Sequence, residues 1–297
     1  MHIILGGTGH VGSAASAALL RLGEPTTIVT REPNHAETSA LSGASIAVAD
    51  VHDADALREI FRTGRRAFLL NPPADVAGDT DVEERRTVAS IVEAIHGSGL
   101  ERLVLESTYG AQPGQRCGDL NILFEFEEAL RGQPIPAAIN RGAYYFTNWD
   151  AQIDAVRENG ILRSFFPADF FLPMVSPLDL GEAAARRLTE PVTAVGTYYV
   201  EGPERYSPRD VADAFAEALD RPVQVEVVPR DQWEAAYRKL GFSEAAAHSY
   251  ARMTAASLDG DFVSPSEAER GEISLREHVA HQVSERVGSH AREKVMG

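Results

Sequence analysis

Residues 2–23, HIILGGTGHVGSAASAALLRLG, read as a short apolar strand, a glycine cluster and a helix rich in small residues. Gly7, Gly9 and Gly12 satisfy G-x-G-x-x-G, and Gly6, Gly9 and Gly12 satisfy G-x-x-G-x-x-G equally well. Glycine at these positions lets the backbone turn sharply and approach a pyrophosphate, which the free N–H groups of the following helix then receive. Gly6, Gly7, Thr8, Gly9, His10, Val11 and Gly12 are therefore the candidate diphosphate loop. Glycines also make ordinary turns, so it is the strand before and the helix after that favour a dinucleotide site.

Outward from this stretch the chain alternates short apolar runs with amphipathic ones, as a doubly wound parallel sheet requires. Strands are predicted at 26–30 (TTIVT), 44–51 (ASIAVADV), 66–70 (RAFLL), 102–108 (RLVLEST) and 136–142 (PAAINRG), with helices between them, including about 80–97 and 119–131. Asp53 is placed to cap the helix that begins DADALREIF. The rhythm changes near residue 150. The expected organisation is α/β: a Rossmann-type domain over 1–150, then a smaller, mostly helical lobe and tail over 151–297. One strand, at 197–202, is a candidate to rejoin the main sheet. The amphipathic tail from about 273 packs either on the body or on a second subunit, which would make a homodimer.

The 297 residues carry 28 Lys plus Arg against 44 Asp plus Glu, a formal net charge of −16. So acidic a surface repels phosphate backbones and anionic lipids, which argues against nucleic acid or membrane as partner. The single cysteine, Cys117, fits a reducing compartment. The apolar stretch before the glycines is too short for a secretory signal, so the expected location is cytoplasmic.

Cofactor choice turns on the end of the second strand. There an NAD site usually carries an acid for the ribose hydroxyl. Here Thr30 is followed by Arg31, whose guanidinium suits a 2′-phosphate, so NADP(H) is favoured over NAD(H). Glu32 is the competing residue. Asp50 and Val51 at the third strand's end are expected near the adenine, although Asp50 could simply cap a turn. Leu70, Asn71 and Pro72 after the fourth strand are expected beside the ribose, or else form only a rigid exit from the sheet.

GGTGHVG, the Arg31 position, ADVHDADALREIF, RLVLES, RGAYYFTNW and SPLDLGEAA resemble the NmrA-like branch of the atypical short-chain dehydrogenases/reductases. The likeness continues through YYVEGPERYSPRDVADAFAEALDRPVQVEVVPRDQW. It is similar to NADPH-dependent quinone reductases and triphenylmethane dye reductases, and implies a C-terminal lobe forming a cleft over the nicotinamide. Short-chain reductases usually pair Tyr with Lys four residues on, but no tyrosine here has that partner, and Lys239 and Lys294 are the only lysines. Many family members carry Lys or His four residues before a glutamate on the helix after strand five. That position aligns with Leu123 and the glutamate with Glu127. Consecutive glutamates Glu125, Glu127 and Glu128 otherwise read as a solvated helix face.

Two functional readings follow. One is an oxidoreductase passing hydride from NADPH to a conjugated acceptor (a quinone, an enone or a cationic dye), which needs orientation in an apolar pocket more than a strong acid. Ser107 and Tyr109 then stand as candidate catalytic hydrogen-bond donors, with Ser107 also against the cofactor. Tyr144, Tyr145, Phe146, Asn148 and Phe165 are candidate substrate contacts. For the aromatics the alternative is core packing, and for Asn148 a helix cap. The other reading is a dinucleotide-sensing regulator of a protein partner, favoured by the missing lysine. No metal site is expected: His278 and His281 have helical metal spacing but no evident third ligand, and a solvated face explains them.

Overall fold

In the computed structural model, residues 1–32, 41–260, 265 and 267–296 are described, with side chains to residue 286. The first half alternates β1 (His2–Leu5), α1 (His10–Arg21), β2 (Thr26–Thr30), β3 (Ser45–Val48), α2 (Ala54–Phe61), β4 (Arg66–Leu69), α3 (Thr80–Ile95), β5 (Arg102–Thr108), α4 (Asp119–Arg131) and β6 (Ala137–Gly142). Then come β7 (Tyr144–Tyr145), a 3-10 segment (Phe146–Gln152), α5 (Ile153–Asn159), β8 (Ile161–Ser164), β9 (Leu172–Val175), α6 (Pro177–Thr189) and β10 (Gly196–Glu201). The chain closes with β11 (Arg205–Tyr206), α7 (Pro208–Leu219), β12 (Gln224–Val227), α8 (Trp233–Lys239), α9 (Glu244–Asp259), β13 (Glu269–Arg270) and α10 (Leu275–Met296).

The main sheet is parallel in every pairing and runs β3-β2-β1-β4-β5-β6-β10-β13. Strand order therefore reverses between β1 and β4, where carboxyl ends of strands open a crevice. Ile3, Leu5, Leu57, Phe61, Ile91, Leu103, Leu105 and Phe126 fill the layer under α2, α3 and α4. Ile4, Ala15, Leu19, Phe68, Val104, Leu180 and Leu188 fill the opposite layer under α1 and α6. Helices α1 and α6 cross closely enough that a Cβ on Gly181 would lie 2.4 Å from that of Ala14.

Both α6 and β10 lie beyond residue 150, so the main sheet and its cover are not complete at that point. Arg102, fully buried, fastens this later segment by donating to the carbonyls of Arg187, Pro191 and Ala194 at 2.7 Å each. The third strand is shorter than the expected 44–51. It is an edge with exposed side chains at Ser45, Ile46 and Val48, and Asp50 already caps a turn by accepting from the His52 N–H at 2.8 Å. Asp53 caps α2 as expected, accepting from the Ala56 N–H at 3.0 Å.

The remaining elements cover the carboxyl edge. Phe146, Trp149, Phe166, Met174, Val211 and Phe215 make one cluster, and Trp233, Tyr237, Ala247 and Ala251 another. The tail packs on the body: Leu275, Val279 and Val283 are buried in the first of these clusters. His278 does not sit on a solvated face. It is 8% exposed and its ring meets Asp150 at 3.0 Å. Among the described residues no helix is long and apolar enough to cross a membrane.

Candidate functional site

The glycine loop sits at the reversal of strand order. Gly6 adopts φ +65°, and a Cβ on it would lie 2.9 Å from the Leu70 side chain just past β4. A Cβ on Gly12 would lie 2.2 Å from the Gly6 carbonyl oxygen, and one on Gly7 2.4 Å from Ile28, so both are glycine for close packing. Gly9 differs. It precedes α1 with no side-chain cap, its carbonyl accepts from Ser13, and a Cβ there would meet only the Gly6 oxygen, at 3.4 Å. The first turn of α1 thus offers uncapped N–H groups beside the exposed Gly9, with Thr8 half-buried, His10 exposed and Val11 buried. The residues present fit a diphosphate.

Arg31 is exposed directly after β2, and no described hydrogen bond or ion pair occupies its guanidinium among the described residues. Glu32 follows it, its backbone N–H donating to the Thr30 hydroxyl at 3.2 Å. Asp50 is exposed and Val51 half-buried beyond β3. Leu70, Asn71 and Pro72 are half-buried after β4, and Asn71 Oδ1 is buried without a partner.

The two candidate donors at the carboxyl end of β5 are committed elsewhere. The Ser107 hydroxyl donates to Glu127 Oε1 at 2.6 Å, and Tyr109 donates to Glu201 Oε1 at 2.7 Å. Burial, then Glu201, pushes the Tyr109 phenol far above its ordinary range. Burial raises Glu201, but Arg205, the Tyr109 hydroxyl and Arg270 outweigh it and hold the carboxyl below its usual value. Both hydroxyl protons are thus engaged by carboxylates of the chain itself, which is where the structure places the expected donors Ser107 and Tyr109.

Glu127 also departs from expectation. It is fully buried rather than solvated, and accepts from Arg141 at 2.8 and 2.7 Å and from Arg131 at 3.0 Å. Leu123, four residues earlier, packs against the apolar layer beneath α4.

The aromatic candidates separate. Tyr144 and Tyr145 are half-buried on β7, while Phe146 is fully buried with its ring 5.7 Å from Tyr206, a core residue and not a lining one. Phe165 stacks on Tyr237 at 4.3 Å within the α8–α9 cluster. Asn148 is exposed within the 3-10 segment, its side chain interacting with the Tyr144 hydroxyl.

Several functional candidates carry no local signature. Asp81 and Glu84 on α3 are almost fully buried, and Asp119 opens α4 beside them. Ser249 of α9 donates to Asp81, and the α9 cap Ser243 donates to the Gly78 carbonyl at 2.6 Å, so α9 closes over the β4–α3 connection. Burial, then the Asp119 charge, pushes Glu84 up to about 8, although the Ala74 N–H donates to it. Asp119 is raised by burial and by Asp81. Tyr145 feels both Asp119 and Glu106, the latter a buried acid inside β5. A charged residue within the apolar run RLVLEST was the available signal for Glu106. Among the described residues no three His, Cys, Asp or Glu side chains are arranged to hold a metal ion.

The NmrA-like family profile matches residues 2–268. A UDP-glucose 4-epimerase from Streptomyces lividans is 28% identical over 117 residues, 36% of this chain and 35% of that enzyme. The match thus spans about a third of the curated relative's length. Among solved structures, an Escherichia coli NADPH-dependent quinone oxidoreductase complexed with NADPH superposes with a TM-score of 0.77 at 20% identity, over 95% of this chain and 99% of that one. A Citrobacter triphenylmethane reductase complexed with NADP(H) gives 0.77 at 19% identity, over 95% and 100%. A leucoanthocyanidin reductase from Vitis vinifera gives 0.72 at 13%, over 95% and 99%. At these identities the likeness is one of fold.

Proposed function

This chain belongs to the NmrA-like family, and on that footing we propose that it is an NADPH-dependent oxidoreductase that reduces a small conjugated acceptor such as a quinone, an enone or a cationic dye. The observation that carries the reading is the uncapped first turn of α1 preceded by the exposed Gly9, set at the sheet's reversal point. The quinone oxidoreductase and the triphenylmethane reductase, which share the fold along nearly their whole length, support it.

In this reading the α1 N–H groups hold the diphosphate and Arg31 holds the 2′-phosphate, so NADP(H) is preferred over NAD(H). When bound, the reduced nicotinamide supplies hydride. Tyr144, Tyr145 and Asn148 would line the acceptor side and exclude water. Asp81, Glu84 and Asp119 lie near this side, and Asp119 is electrostatically coupled to Tyr145. Whichever of them is ionised disfavours an anionic acceptor and favours a neutral or cationic one, while Glu84, pushed up to about 8, keeps its proton at neutral pH.

The commitment of Ser107 and Tyr109 to carboxylates favours a second reading, a dinucleotide-responsive regulator without turnover. Absorbance of NADPH and NADH followed against quinones, enones, aldehydes and cationic dyes separates the two. Turnover of one class supports the oxidoreductase. Tight binding of oxidised and reduced dinucleotide, with every acceptor inert, establishes the regulator instead.

A further inference from the structure

Glu106 stands out among the ionisable groups of the sheet. It lies on β5 opposite Asn140 of β6, and its side chain reaches over Gly142, where a Cβ would come within 2.8 Å of Oε1. Glycine at 142 thus leaves the space that the carboxyl occupies. Both carboxyl oxygens are buried without a fully formed hydrogen bond, and so are both amide atoms of Asn140. A carboxylate in such a place would lack the donors that a buried charge requires.

The groups facing it are few. Asn140 approaches from β6, the Tyr145 hydroxyl from β7, and the Arg187 guanidinium from α6. Arg187 is already paired with Glu190 and Glu269. Burial therefore prevails, and the Glu106 carboxyl stays well above the usual carboxylate range, against the smaller opposing effects of Asn140, Arg187 and Tyr145. Burial, then Glu106 and Asp119, holds the Tyr145 phenol far above its ordinary value, so burial favours the protonated form of both groups.

Tyr145 connects this acid to the cofactor side. It is half-buried and packs on the same apolar cluster as Val11 and Leu70, which border the glycine loop. We infer that Glu106 is the proton reservoir of the site and that Tyr145 relays its proton to the oxygen of a reduced carbonyl acceptor. The inference rests on the oxidoreductase reading, and supplies the proton that the absent Tyr-Lys pair would otherwise handle.

The step balances as follows. A quinone or enone that accepts hydride gains two electrons and one hydrogen, and is left with an anionic oxygen. The Tyr145 O–H bond breaks as that oxygen takes the proton. The Glu106 O–H bond then breaks, the phenol re-forms, and Glu106 is left as a carboxylate until it regains a proton from solvent through Tyr145 after product leaves. A triarylmethyl cation needs none of this, because hydride alone neutralises it.

The test compares wild type, Glu106→Gln and Tyr145→Phe on a quinone and on a triarylmethyl cation, with NADPH. Glutamine and phenylalanine preserve shape. With the quinone, each variant is expected to lose roughly 100-fold or more in kcat, within the usual range for general acids, and with the cation each is expected to lose at least about tenfold less than it does with the quinone. Independently of turnover, the infrared difference spectrum between wild type and Glu106→Gln at neutral pH should contain the carbonyl stretch of a protonated carboxylic acid. Absence of that band overturns the inference. So does an undiminished quinone rate in Glu106→Gln, or an equal loss on both acceptors, while cation turnover leaves the oxidoreductase reading standing. A wild type inert to both of these acceptors and to the enones as well overturns both.

Discussion

The Ser107 hydroxyl donates to Glu127 across 2.6 Å, and the same carboxylate accepts from Nε and Nη2 of Arg141 on the neighbouring strand. Its partners thus tie β5, β6 and α4 together at one buried charge. Removing the glutamate leaves Arg141 buried without its counter-charge, and the cost of breaking a buried pair is about 3–5 kcal/mol. Glu127→Ala is therefore expected to lose about that much in urea denaturation. Ser107→Ala removes a single bond to a charged group and should lose about 1.5–3 kcal/mol. The turnover number of Ser107→Ala, measured well below its melting temperature, should match wild type. A collapse in turnover at intact stability would restore Ser107 to the chemistry.

Two glycines of the loop separate packing from binding. At Gly12 a Cβ would be driven into the Gly6 carbonyl at 2.2 Å, and backbone cannot swing away as a side chain can. Gly12→Ala is expected to cost about 1–3 kcal/mol or more and to lose cofactor affinity with it. At Gly9, with φ −82° and ψ 173°, alanine is sterically ordinary. Gly9→Ala should change stability by less than about 1 kcal/mol, yet weaken NADPH at least about tenfold, or about 1.4 kcal/mol. Calorimetry and thermal melts on the two variants check the contrast. Unchanged NADPH affinity in Gly9→Ala would remove the diphosphate from this loop.

Arg31 lies exposed next to the end of β2. A guanidinium there recognises the second phosphate and has nothing comparable to hold on a bare ribose. Arg31→Ala is expected to weaken NADPH by roughly tenfold, about 1.4 kcal/mol, while NADH binding stays nearly constant. Titration by nucleotide fluorescence measures both. Equal losses would assign the discrimination to another residue.

What the sequence disclosed follows the range of the forces involved. β2 and β5 match their expected bounds because each carries a short apolar run, IV and LVL, inside a buried parallel strand and stops at residues that favour turns. β3 was overextended because an exposed edge strand lacks that contrast. The glycine loop was legible because backbone geometry alone dictates its residues. Glu127 was not: its burial comes from Arg141, on a different element, and the helix face DLNILFEFEEALR gives no hint of it. Asp81 and Ser249 are 168 residues apart in sequence, so no local pattern could join them. Phe146 and Tyr145 are adjacent aromatics, and only the packing of α10 and β11 sends one to the core.

Glu84 gives the fold a pH dependence of definite sign. Its native carboxyl titrates at about 8, against 4.5 for the free group, because burial and the Asp119 charge oppose ionisation. Between those values the folded chain retains a proton that the unfolded chain has lost. This contribution is thus fully present below about pH 4.5, and is lost as pH rises through about 8. The slope is at most about 1.4 kcal/mol of stability lost per pH unit. Glu84→Gln cannot ionise, and its amide oxygen can still accept from the Ala74 N–H. Urea denaturation of wild type and variant across this range should show Glu84→Gln gaining on wild type as pH rises. Parallel curves would mean that Glu84 is already ionised in the folded chain and that some other group neutralises it.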